Sequence, residues 1–454
     1  ATEEADETWT ATWATAAQLA SATVVTLDTT ARYQFSEYVP SGVPDARITA
    51  VNGADAPVYL ETKLVGGTRN FRFHRGLYDA FGLSKTTPVY ADIPKPQYTT
   101  VHLDHTLLGA WSSKSETLYY STRYDDADFT GASAGYMNVN DKISGLKIWR
   151  EQFVVFGVNS LQRIVNINNS STTAVENITK NIGCLDGFSI AEIGGDLVFL
   201  APDGIRTVAG TARIDDIELS SISHKILPVI TNIVSNLGDF DLSATVVRTQ
   251  NQYRLFYCNS TTGVVSQKGI IGTFKITPQG LPVWEWSEVQ GIEVTNMSSN
   301  FDTNDTEIIH HGDYDGFVHF HNKGNSFNGS KISAEFRTPD IDYGDIGIRK
   351  TLHYTKLSVK PEGITDLYLD TKYDFESGAI QQPDTTHVGA IQVPSVFGLA
   401  VFSIGRFGVP EYPMKRVSLL GSGYSNSFKF TSNDTNPPYS IQGMYVDLIP
   451  SSRR

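Results

Sequence analysis

The sequence predicts an all-β protein whose body is a β-propeller of about six blades, followed by a sandwich-like β region, with one notable helix. Three observations carry this. Short runs rich in β-branched and aromatic residues recur along the chain, punctuated by Gly, Asn, Asp and Pro. Clusters of such runs begin near Thr100, Leu146, Gly194, Val246 and Glu307, at a spacing that suits four-stranded blades. Charged residues make up only 19% of the 454, and 38 glycines are present, a profile that favours many strands joined by turns.

Examples of the runs are Val24–Leu27, Val58–Leu64, Asn70–His74, Thr117–Ser121, Gln152–Phe156, Leu197–Leu200, Tyr253–Cys258, Phe317–Phe320 and Leu352–Val359. The clearest two-strand unit is 194–208, where Pro202-Asp203-Gly204 is a turn between hydrophobic strands. Residues 311–320 repeat the design around Asp315-Gly316. Stacked blades would bury one another's faces and leave short edges, so so long a β chain needs no disulfides.

Between the strands, Ile226, Ile230, Ile233, Val234 and Leu237 fall at spacings of three and four and predict a helix over 223–237. Ser221 or Ser223 would cap its start, Pro228 is tolerated in its first turns, and Gly238 follows its end. Residues 1–23, acidic and then Ala/Thr-rich, read as an N-terminal arm, 24–330 as the propeller body and 331–454 as the C-terminal β region.

The net charge of −13 argues against binding nucleic acid through the overall field. Two cysteines, Cys184 and Cys258, are too few for a disulfide framework and read as small buried residues. No signal peptide is read, and no apolar run reaches the ~18 residues of a membrane span. Eight N-x-S/T matches, at Asn168, Asn169, Asn177, Asn259, Asn296, Asn304, Asn328 and Asn433, read as Asn-rich turns.

Several stretches together resemble the tail-hub, or nozzle, proteins of short-tailed bacteriophages, also called packaged-DNA stabilisation proteins. They are Gly76–Leu83 with Pro88, Thr100–Leu108, Leu118–Thr122 with Asp125–Phe129, Leu146–Phe156, and Tyr439–Gly443 with Arg453-Arg454. The most specific is Gly183–Ile190 joined to Gly194–Leu200 and Asp203–Arg206. The resemblance runs from about residue 76 to the end. It implies a homo-oligomeric, hexameric ring below portal-adaptor ring proteins, with double-stranded DNA passing through its centre. It further implies contacts to tail fibre or tail tip proteins and a place in the virion after synthesis in the host cytoplasm. The motifs are packing and turn motifs and transfer no active site.

No catalytic, cofactor-binding or metal-ligating set is therefore assigned. His310, His311, His319 and His321 lie close in sequence but lack a Cys or carboxylate partner at ligand spacing. His102 and His105 read as structural residues on opposite faces of one strand. Asp125-Asp126-Ala-Asp128, Asp215-Asp216, Asp340, Asp342 and Asp345 read as solvated turn residues, and Asp313-Tyr-Asp315-Gly316 is only a fragment of a calcium loop. Trp284 and Trp286 share one strand face and read as packing residues. The rival functions are a propeller-type glycan hydrolase, which needs two converging carboxylates, and a receptor-binding adhesion module.

Overall fold

A computed structural model describes residues 2–3, 9–10, 32–39, 47–54, 57–65, 68–75, 95–111, 114–124, 129, 132–169, 171–213, 221–259, 268–389 and 414–451. Most of the 1–23 arm, Val24–Leu27, Gly76–Leu83 with Pro88, the Asp125–Asp128 and Asp215-Asp216 runs and Arg453-Arg454 lie outside these residues. The chain divides into two compact units, 1–321 and 322–454. Both are built of antiparallel strands, as the all-β reading expects, and each sheet is open.

Among the described residues, the first unit opens with a small pair, β1 (Thr2–Glu3) and β2 (Trp9–Thr10), and continues as six meander sheets in chain order. The first holds β3 (Gln34–Tyr38), β4 (Arg47–Val51), β5 (Val58–Val65) and β6 (Thr68–Arg75). The second holds β7 (Pro96–His102), β8 (His105–Trp111), β9 (Lys114–Tyr120) and β10 (Gly135–Asn138). The third holds β11 (Ile143–Trp149), β12 (Gln152–Gly157), β13 (Leu161–Val165) and β14 (Ala174–Thr179). The fourth has three strands, β15 (Ala191–Ile193), β16 (Asp196–Ala201) and β17 (Gly204–Thr207), and is followed by helices α1 (Val208–Arg213) and α2 (Leu227–Ser235). The fifth holds β18 (Asp241–Val247), β19 (Gln252–Cys258), β20 (Lys268–Ile276) and β21 (Pro282–Gln290). The sixth holds β22 (Asn296–Phe301), β23 (Glu307–Gly312) and β24 (Val318–Phe320).

Each sheet from the second to the fifth begins a few residues before the position predicted for it. The sixth begins at Asn296, where Glu307 was expected, because β22 (NMSSNF) is polar and mostly exposed and carries no apolar alternation. The first sheet adds a meander that the repeat spacing does not reach.

Consecutive sheets share cores. Phe153 and Val155 of β12 pack with Leu107 and Leu118 of the second sheet, whereas Val154 and Phe156 pack with Leu197 and Phe199 of the fourth. Val198 and Leu200 of β16 then pack with Leu242, Tyr253 and Leu255 of the fifth. Strands with both faces buried explain the uninterrupted apolar runs QFVVFG and DLVFLA.

The first hairpins of three sheets turn through two residues with positive φ: Leu103-Asp104, Arg150-Glu151 and Gly194-Gly195. Only the last pair has the residues such a turn favours. Left-handed backbone costs a non-glycine residue roughly 1–2 kcal/mol. Replacing Leu103-Asp104 by Asn-Gly is therefore expected to raise the melting temperature of the unit by about 2–4 °C, read by calorimetry. An unchanged or lower melting temperature would show that Leu103 is not strained.

The predicted helix is α2, flanked by 3-10 turns at His224–Ile226 and Leu237–Asp239, with Ile230 and Ile233 buried. Its capping differs from expectation. Ser223 makes no cap; its hydroxyl accepts the Ile205 N–H at 2.8 Å, tying the helix to β17. Gly238 sits inside the second 3-10 turn and does not terminate the helix with a left-handed residue. α1, only six residues, has no periodic signal of its own. Asn177, Asn296 and Asn433 lie on strands, not in turns as expected.

The second unit contains β25 (Ile332–Arg337), β26 (Lys350–Pro361), β27 (Tyr368–Tyr373), β28 (Thr386–His387), β29 (Lys415–Ser418), β30 (Ser422–Gly423), β31 (Asn426–Asp434) and β32 (Tyr439–Pro450). One sheet runs β25-β31-β27-β28; the other centres on β26, paired with β32 on one side and β29 and β30 on the other. Leu352, Leu357, Leu369, Val417, Phe428 and Phe430 form the core between them.

Candidate functional site

At one end of the first unit, turns of successive sheets are linked. The His102 ring stacks on Phe153 at 6.0 Å, and His105 Nε2 lies 2.9 Å from Asn168 Oδ1. Trp149 Nε1 and Arg150 Nε both donate to the Gly195 carbonyl at 3.2 Å. A shallow groove lined by Glu192, Gly194, Gly195, Arg248 and Asn251 joins the fourth turn to the fifth. Glu307 of the sixth sheet then accepts the Arg248 and Thr249 backbone N–H groups at 2.8 and 2.9 Å.

At the opposite end, the segments leading into the first strands converge. Gly187 lies so close to Ser144 and Gly145 that a Cβ there would meet the Ser144 carbonyl at 2.4 Å. Asp186 Oδ1 accepts the Phe188 N–H at 2.7 Å and caps the 3-10 turn Gly187–Ser189. The buried Tyr253 hydroxyl donates to the Ser189 carbonyl at 2.8 Å. The Arg32 guanidinium lies 4.0 Å over the Phe188 ring and donates to the Thr295 carbonyl at 3.1 Å. Tyr314 donates its hydroxyl to Asp241 Oδ2 at 3.0 Å and its N–H to Glu293 Oε1 at 2.7 Å.

This hub joins residues from all six described sheets or the segments leading into them, with Tyr98 of the second lying against Gly187. Burial pushes the Asp186 carboxyl up; the Phe188 N–H and the Arg32 charge pull it back in part, and Asp241 adds to the rise. Burial, then Asp186 and Cys184, raise the Tyr98 phenol, and burial pushes the Cys184 thiol up to about 12. Both cysteines are buried and free, as expected. Asp186, Asp241 and Glu293 each already accept a protein hydrogen bond, so the hub is organised first as a brace.

The histidines meet differently from the sequence expectation. His102 and His105 end β7 and begin β8 and are register partners, so they share a face; the two-residue turn between them divides what reads as one strand. His105 Nδ1–H donates to the Ser121 carbonyl at 2.6 Å. His311 stacks on His319 at 5.1 Å and its Nδ1 lies 3.3 Å from Nδ1 of His321, while His319 Nε2 meets Asp313 Oδ2 at 2.7 Å. Burial first, then His319, lowers His311 to about 4; burial, Arg254 and His311 lower His321 to about 3. Among the described residues no group of His, Cys, Asp and Glu has the geometry to hold a metal ion.

Asp342 and Asp345 accept N–H groups from Gly344 and Gly347, and Asp313 accepts from Phe317, all within turns. Trp284 stacks on Trp286 at 5.8 Å, and Trp286 Nε1 donates to the Ile222 carbonyl at 2.9 Å. Gly272 leaves the space the Trp286 ring fills, which makes the pair a packing element.

Arg32 carries no motif, and sequence reasoning missed it; Tyr314 lies inside the Asp313–Gly316 fragment, but its bonds to Glu293 and Asp241 were not foreseen. Gly183–Ile190, singled out by resemblance, is the segment that builds the hub.

No family model and no curated protein matches the chain. Among solved structures it is similar to a candidate 6-phosphogluconolactonase from Bacteroides uniformis, at 11% identity and a TM-score of 0.33, over 63% of this chain and 83% of that one. It is also similar to an arginine-to-alanine triple mutant of AofleA from Arthrobotrys oligospora, at 13% identity and a TM-score of 0.30, over 63% and 82%. Likenesses this slight carry no functional argument. Among the described residues no helix is long and apolar enough to cross a membrane.

Proposed function

We propose that the six sheets are blades of a β-propeller and that the chain is a structural subunit of a short-tailed phage tail. In this reading it forms a hexameric nozzle ring that seals, then conducts, packaged duplex DNA. It would meet portal-adaptor proteins on one side and tail fibre or tip proteins on the other. The observation that carries the proposal is the hub. The residues of the strongest resemblance, Gly183–Ile190, brace it, and the Arg32–Thr295 bond sets the lead into the first sheet beside the lead into the sixth. Strands buried on both faces in the third and fourth sheets supply rigidity of the kind such a ring needs, and the net charge of −13 suits a wall along which a polyanion slides.

Native mass spectrometry and negative-stain imaging of the purified protein and of particles containing it test this. A six-fold ring, in solution or only in assembled tails, is the expected result. A persistent monomer absent from virions overturns it.

A further inference from the structure

The outer face of the β26-centred sheet carries a cluster unlike the rest of this acidic chain. Register sets Arg416 of β29 directly opposite Lys356 of β26, and Lys356 opposite Tyr445 of β32. One step along, Ser418, Tyr354 and Asp447 form the neighbouring row, and Lys360 stands further along β26 with Ser440 opposite. Their neighbours Leu357, Val417, Val446 and Leu448 point into the core, so alternation turns this set outward.

Arg416 lies 4.1 Å over the Tyr354 ring, and Lys356 Nζ lies 5.9 and 6.0 Å from the rings of Tyr354 and Tyr445. Lys356, Lys360 and Arg416 are exposed, and Tyr445 is 57% exposed. Like charges directly opposite on adjacent strands repel. Among the described residues neither Lys356 nor Arg416 meets a carboxylate within ion-pair distance, and Asp447, the acid of the array, stands opposite Tyr354 rather than between the two cations. The fold thus maintains an uncompensated basic pair between two tyrosines on a chain whose net charge is −13.

We propose that this face binds an anionic polysaccharide. Charge complementarity calls for an anion between Arg416 and Lys356. The open Tyr445 ring offers an apolar platform to a sugar face, and Ser358, Ser418 and Ser440 offer hydroxyl partners along the same rows. Duplex DNA would leave the tyrosines idle, because its bases are stacked inside the helix. Single-stranded nucleic acid needs successive free rings, whereas Arg416 already covers Tyr354. The proposal rests on this surface alone and not on ring formation.

Titration of the full chain by calorimetry with polyuronate (alginate) oligosaccharides tests it, beside neutral dextran and oligothymidine. The expected result is alginate binding that weakens with added salt and falls about tenfold in Lys356→Ala, Arg416→Ala and Tyr445→Ala. Neutral dextran should not compete. Because Lys356→Ala removes a like-charge contact, its melting temperature should not fall, which separates lost binding from lost folding. No alginate binding at millimolar concentration, equal binding by all three variants, or preferential binding of oligothymidine would each overturn the proposal.

Discussion

Replacing Glu307 by glutamine is expected to destabilise the first unit by about 2–3 kcal/mol at neutral pH, and by progressively less in acid. The Glu307 side chain is 1% exposed. It accepts the Arg248 and Thr249 N–H groups, the Thr249 hydroxyl at 2.8 Å and the Ser299 hydroxyl at 2.7 Å. Burial alone would raise its carboxyl, but these donors outweigh burial and hold it down at about 2. A carboxyl depressed in the folded state contributes stability that is present above its unfolded value, 4.5, and lost as pH falls towards 2. Melting curves of both proteins between pH 7 and pH 3 check this. The gap between them should be widest at pH 7 and narrow below about pH 4.5. A gap that is absent at pH 7, or constant with pH, would show that the ionised carboxylate is not what holds the β18–β19 turn.

Phe199→Ala is expected to cost about 3–5 kcal/mol, measured by denaturant unfolding. Phe199 is fully buried between the third and fourth sheets and meets Phe156 edge to face at 5.4 Å. A cavity there cannot be filled without moving a strand packed on both faces. Phe317→Ala, in a turn and 62% exposed, should stay within about 0.5 kcal/mol of the parent. Equal losses at the two positions would mean that the sheet interface does not carry the stability assigned to it.

The strands buried on both faces were the most legible part of the chain, because runs such as Gln152–Phe156 and Leu197–Leu200 need no alternation to be recognised. Strand β22 was illegible for the opposite reason: it is mostly polar and exposed and carries no apolar alternation. The Leu103-Asp104 turn was hidden because neither residue is the Gly or Asn that a left-handed turn advertises, so tertiary packing overrides local preference there. The hub was half legible. Gly183, Asp186 and Gly187 stand out as turn chemistry, but Arg32 reaches Thr295 across 263 residues, and no local pattern encodes that bond. The same holds for the Arg416–Lys356–Tyr445 row, which arises from three strands far apart in the chain.

The Arg32–Thr295 bond has a kinetic consequence. Within the first unit, strand pairing is between neighbours in sequence, so each meander closes short loops and can form early. Among the described hydrogen bonds of this unit, that between residues 32 and 295 closes the longest loop, and it is expected to form after the sheets are stacked. Weakening it should therefore leave the folding rate nearly unchanged and accelerate unfolding. The meeting of the first and sixth leads is thus expected to bear on the lifetime of the native unit more than on its rate of formation.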